Sequence, residues 1–206
     1  EAMSLPGVTA SGAPCQGVFF THTHGDHMGQ IGRVLPEVPL FLGKTAREVA
    51  LAESTGTRIH ICHVSTRTSV ALIRDAKRRG VQVTCESAPH YMLLTDRELL
   101  RRDANWRMNP PLREQADCEA IVEGFCDGTI DAVITDHAPH AAAEKADFEK
   151  APNGIIGLET SFAGACTALV ATGKLSRRRL SELMSTIRTV KKMYNPYIEL
   201  EGVLLT

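Results

Sequence analysis

The chain has 206 residues, 43% of them hydrophobic and 23% charged, with 23 basic against 24 acidic residues and a formal charge of -1. That balance describes a globular protein of one or two domains and excludes disorder and collagen-like structure. The interspersed charges leave no footprint for nucleic acid, and no apolar run approaches the roughly 20 residues of a membrane span.

The N-terminal stretch EAMSLPGVTASG has neither a basic start nor an apolar core, so a cytoplasmic location is expected. The six cysteines, Cys15, Cys62, Cys85, Cys118, Cys126 and Cys166, show no CxxC spacing, and buried free thiols are the better reading. Gly17 to Phe20 is an apolar strand, and the His-rich loop THTHGDHMG follows it. Thr45-Ala-Arg-Glu48 has capping-box spacing and opens a helix that ends at Gly56. RIHICH, Arg58 to His63, is a strand; Ser69 to Arg79 is an amphipathic helix with Val70, Leu72, Ile73 and Ala76 inward; VQVTC, Val81 to Cys85, is the next strand. Strand, helix and strand over so short a span form a βαβ unit with parallel pairing. A short helix is expected from Thr95-x-x-Glu98, a longer one over Glu114 to Cys126, and a strand over Ile130 to Thr135. Helices follow at Leu158 to Thr172 and Ser176 to Ser185, with Arg177-Arg178-Arg179 on a solvated face. The class is α/β with a mostly parallel sheet.

In parallel α/β folds the ligand-binding loops leave the C-terminal ends of the strands. Three polar clusters fall there: His63 at the end of the first strand, Glu86 after the second, and Asp136-His137-Ala-Pro-His140 after the third. His60, inside a strand, reads as a hydrogen-bonded core residue. Asp136 leaves an apolar strand beside two histidines and needs a partner for its charge, for which a metal is the common solution.

From about Val49 to Ser185 the chain resembles the C-terminal half of the class I dihydroorotases, carried in order by RIHICHVST, VTCESAPHYMLLTD, MNPPLR, DGTIDAVITDHAPH, APNGIIGLET and TGKLSRRRLSELMS. The resemblance implies a partial (β/α)8 TIM barrel of the amidohydrolase type and a zinc-dependent cyclic amidohydrolase interconverting dihydroorotate and N-carbamoyl-L-aspartate. It implies that His63 binds one metal of a binuclear zinc site, and that Asp136 binds the other and shuttles the proton. It assigns Asn109 and His140 to the substrate, with the backbone around Pro152 to Gly154 closing on it, and Cys62 and Glu86 to a possible extra zinc. The family's HxH pair, its bridging carboxylate or carboxylated lysine and a further His belong to strands that would precede Thr45, and none is found there.

In their place THTHGDHMG resembles the HxHxDH motif of the metallo-β-lactamase fold, which gives His22 and His24 to one zinc and Asp26 and His27 to a second. The later ligands of that fold do not follow. TIRTVKKMYNPYIELEGVLLT, Thr186 to Thr206, resembles a helix and strand of ParA-type chromosome-partitioning ATPases, without a phosphate loop. The chain thus reads as a composite of residues 1–46, 47–185 and 186–206. His22 and His24 standing in for the missing HxH pair would still leave the bridge and the remaining His lacking. The expectation is a dihydroorotase-like segment that is incomplete and without turnover alone, with zinc going mainly to His22, His24, Asp26 and His27. A metallo-β-lactamase-like zinc hydrolase fragment and a non-catalytic zinc-binding composite are the alternatives.

Overall fold

The computed structural model describes residues 44–184, the backbone of two strands at 18–20 and 40–42, and the isolated positions 10 and 12. The His-rich loop with His22, His24, Asp26 and His27, and the tail from Thr186 to Thr206, lie outside the described residues. So does Cys15.

The elements in order are β1 (Val18–Phe20), β2 (Leu40–Leu42), α1 (Lys44–Thr55), β3 (Ile59–Ile61), α2 (Arg67–Arg78), β4 (Val83–Ser87), the one-turn α3 (His90–Leu93), α4 (Gln115–Asp127), β5 (Ala132–Val133), α5 (Ser161–Ala165) and α6 (Arg177–Met184). β1 and β2 pair in parallel. β3, β4 and β5 form a second parallel sheet with β4 central, Ile59 opposite Val83 and Glu86 opposite Ala132. The βαβ unit expected from RIHICH and VQVTC is therefore present. Among the described residues this sheet stays three strands wide, so β3 and β5 are its edges, as an open part of a barrel requires.

Hydrophobic patterning explains how the helices cover the sheet. Val70, Leu72, Ile73 and Ala76 of α2 are buried, as their spacing predicts. Val70, Ile73 and Ala76 meet Ile121 and Phe125 of α4 and the strand residues Ile61, Val83, Cys85 and Val133 in one core. Cys85 and Cys118 are buried free thiols, and burial pushes Cys85 up to about 12. Cys62 and Cys126 are exposed instead, because Cys62 lies just past the end of β3 and Cys126 at the last turn of α4.

Several boundaries differ from the sequence reading, β5 among them, which is confined to Ala132–Val133 within the expected Ile130 to Thr135. Thr45 lies within α1 and its Oγ1 bonds Ser69 Oγ at 3.1 Å, so the capping-box spacing there serves a contact between helices. The true cap in this region is Thr66, whose hydroxyl accepts from the Ser69 N–H at 3.1 Å. Thr95 makes no side-chain cap and precedes a 3-10 turn over Asp96–Arg101. The helix expected from Leu158 begins at Ser161 and passes into a π-helical turn, Cys166–Val170. No described helix is long and apolar enough to cross a membrane.

Candidate metal centre

Main-chain bonds at the strand ends set the geometry of the site. The Val64 N–H donates to Glu86 O at 2.9 Å, Ser87 Oγ donates to Val64 O at 2.6 Å, and the Ile134 N–H donates to Ser87 O at 3.0 Å. The buried end of β4 thereby fixes the residues that follow β3 and β5. His63 and Asp136 leave those strands with φ of 54° and 48°, in the left-handed region. Non-glycine residues held there cost of order 1–3 kcal/mol each, a strain that clusters at functional sites.

The two side chains meet. His63 Nε2 lies 3.4 Å from Asp136 Oδ1, and His90 Nε2 lies 3.8 Å from Asp136 Oδ2. His90, at the start of α3, is the residue sequence reading missed. It is buried, and its Nε2 has no hydrogen-bond partner. Burial, then the nearby His63, pushes its pKa down to about 4, so the ring is neutral at neutral pH and carries a lone pair. A buried nitrogen left unbonded is rare and calls for an occupant. Two imidazoles and a carboxylate are a zinc donor set. The residues present therefore fit the metal, and the candidate main ligands in this segment number three rather than two.

A second cluster adjoins the first. His60, Cys62 and Glu86 place one ligand atom each within 4.8 Å of one another. His60 is hydrogen-bonded, as expected, through Nδ1 to Thr84 Oγ1 at 2.8 Å, and its Nε2 also lies 3.2 Å from Glu86 Oε2. Burial raises Glu86, but the His60 bond and the charges of His60 and His63 outweigh it, and the carboxyl sits below its usual range. Burial, then the Glu86 charge, raises Cys62.

Beside both clusters lies a cleft of about 660 Å³, lined by Lys44, Glu48, Cys62, His63, Asn109 and Arg113 among others. Asn109 therefore opens onto the same space as His63. Tyr91 Oη donates to Pro110 O at 2.8 Å, which ties α3 to the Asn109 loop. His140 does not line that cleft; its Nε2 is 3.1 Å from Asn153 O, against the Pro152–Gly154 strip.

His137 explains why α5 starts late. Its Nδ1 accepts from the N–H groups of Gly157 at 3.2 Å and Leu158 at 3.1 Å, which holds this stretch as a loop along β5. A Cβ on Gly157 would stand 2.0 Å from Thr135 O. Gly157→Ala is expected to cost at least about 2 kcal/mol, as overpacking against backbone does, and to displace the loop from His137. Urea denaturation and the His137 ring NMR shifts check this.

The described residues share the fold of hydantoinase-type amidohydrolases. They match the dihydropyrimidinase of Brevibacillus agri with a TM-score of 0.67 at 28% identity, over 71% of this chain and 33% of that one. The L-hydantoinase (dihydropyrimidinase) of Arthrobacter aurescens matches with a TM-score of 0.66 at 33% identity, over 73% and 34%. In sequence the chain is similar to curated proteins named dihydroorotase. It is 49% identical to that of Brevibacillus brevis over 157 residues, 75% of this chain and 37% of the relative, and 52% identical to that of Geobacillus thermodenitrificans over 141 residues, 68% and 33%. The chain thus spans about a third of the length of the relatives it matches. No protein-family model matches it. These matches lend no support to the metallo-β-lactamase-like or ParA-like resemblances.

Proposed function

We propose that residues 47–185 are the zinc-binding, substrate-facing part of a dihydroorotase, a hydrolase that interconverts dihydroorotate and N-carbamoyl-L-aspartate. The observation that carries this is the convergence of His63, His90 and Asp136 in a segment about half identical to dihydroorotases.

Zinc held by His63, His90 and Asp136 would supply Lewis-acid polarisation of the cyclic amide carbonyl and of water. Asp136 takes the proton of the attacking water as the new C–O bond forms. It then gives that proton to the ring nitrogen as the C–N bond breaks, so one water is consumed and the carboxylate is regenerated. Asn109, facing the cleft, and His140, with the Pro152 to Gly154 backbone, hold the substrate's polar groups. Cys62 and Glu86, joined by His60, form the possible extra zinc site. His22, His24, Asp26 and His27 remain our proposal for a separate zinc-binding loop, in a chain composed of the pieces 1–46, 47–185 and 186–206.

The test grafts residues 47–185 in place of the matching segment of the Geobacillus thermodenitrificans relative. The zinc-loaded chimera is expected to interconvert dihydroorotate and carbamoyl aspartate. Asp136→Asn should lower kcat by about 10²–10⁴-fold, the range for a positioned acid–base group. A folded, zinc-loaded chimera that opens hydantoin but leaves dihydroorotate untouched would contradict the reading.

A further inference from the structure

The loop between β5 and α5 holds a cation whose ammonium bonds to main-chain carbonyls, with the Asp103 carboxylate acting on it only through its charge. Lys145 Nζ lies 2.9 Å from Pro152 O, 2.9 Å from Gly154 O, 3.0 Å from Ala104 O and 3.3 Å from Arg107 O. An ammonium has three N–H donors, so this ring of carbonyls satisfies it completely. Two of the carbonyls belong to the turn at 104–107 and two to the strip at 152–154.

The strip itself has no regular secondary structure, so its buried carbonyls need partners from elsewhere. Lys145 takes those of Pro152 and Gly154, and the His140 ring takes that of Asn153 at 3.1 Å. The Gly154 N–H donates to Arg107 O at 2.8 Å, the same oxygen that Lys145 approaches. On its other side the strip lies directly on the residues after Asp136: a Cβ on Gly154 would stand 2.3 Å from Ala138 O and 2.9 Å from His140 Cδ2. The strip is therefore held from two sides, by Lys145 and by the 138–140 backbone that Asp136 begins. The outside of the loop is tied separately, by Arg107 to Phe148 O and by the exposed Arg102–Glu149 pair.

We propose that Lys145 is a positioning residue: a tethered ammonium that gathers four main-chain carbonyls and so sets where the Pro152–Gly154 strip and His140 stand beside Asp136. Its consequence for substrate binding rests on the dihydroorotase reading above, whereas the anchoring of the strip does not. A point charge ringed by carbonyls is also the arrangement that accepts a free monovalent cation. Ammonium ion should therefore replace the lysine when its side chain is cut away.

The experiment follows amide hydrogen exchange by NMR in the full chain. In Lys145→Met the Gly154 amide should exchange at least 10-fold faster, while the Cys85 amide in β4 keeps its rate. Glu149→Ala, which breaks only the exposed pair, should leave Gly154 unchanged. In Lys145→Ala, added ammonium should restore Gly154 protection, and tetramethylammonium, which has no N–H, should not. Unchanged exchange at Gly154 in Lys145→Met overturns the proposal. So does acceleration spread equally to Cys85, which would make Lys145 a general stability residue, or failure of both variants to fold even with ammonium. Dihydroorotate titrated into zinc-loaded wild type and Lys145→Met gives the second readout, with at least 10-fold weaker binding expected in the variant. If the wild type binds no dihydroorotate, the Gly154 exchange alone judges the anchor, and the graft above judges the substrate reading.

Discussion

Zinc affinity is expected to fall by at least about 100-fold in His90→Ala, equivalent to about 2.7 kcal/mol. Loss of a supporting partner around a metal already costs about 10–100-fold, and His90 is proposed as a ligand itself. Its Nε2 is buried, unbonded and directed at the Asp136 carboxylate. If His90 were only a core residue, removing its unsatisfied nitrogen would relieve a desolvation cost and leave zinc binding as it was. Competition against a chromophoric chelator separates the two, with denaturation of the zinc-free variant reporting the packing loss on its own.

Phe125→Ala is expected to cost about 3–5 kcal/mol, the range for deleting a buried aromatic ring. Phe125 is fully buried and shares the core with Val70, Ile73, Ile121 and Ile130, where α2 and α4 close over the sheet. Against the 5–15 kcal/mol that holds a typical domain, this is a large fraction. Leu100→Ala, at a position 82% exposed, should change stability by no more than about 0.5 kcal/mol. Urea midpoints of the two variants check both figures.

The parallel β3–β4–β5 sheet was legible because its signals are local. RIHICH and VQVTC are β-rich, the helix between them has apolar spacing at 70, 72, 73 and 76, and a helical connection of that length is what parallel pairing requires. His63 and Asp136 were legible for a related reason: both end apolar strands, and parallel strands deliver their ends to one edge. His90 was not, since it lies in a one-turn helix with no periodicity of its own, inside a stretch that otherwise reads as core. Its proximity to Asp136 arises only when β4 and β5 pair. Cys62 and Glu86 were singled out, but His60, which joins them, faces Glu86 across the β3–β4 pairing that no linear spacing displays. The ring of carbonyls around Lys145 is still further from the sequence, because four main-chain oxygens from two loops carry no residue signature. The late start of α5 follows from His137 capturing the Gly157 and Leu158 amides, a contact over some 20 residues that outweighs local helix preference.

The central claim is that His63, His90 and Asp136 hold a metal together. Crystals of the chain grown with zinc, measured on both sides of the zinc absorption edge, test it directly. An anomalous peak is expected at about 2.0–2.2 Å from a nitrogen of His63, a nitrogen of His90 and an oxygen of Asp136. Zinc found only at residues 22–27, with nothing between the two imidazoles and the Asp136 carboxylate, would contradict it.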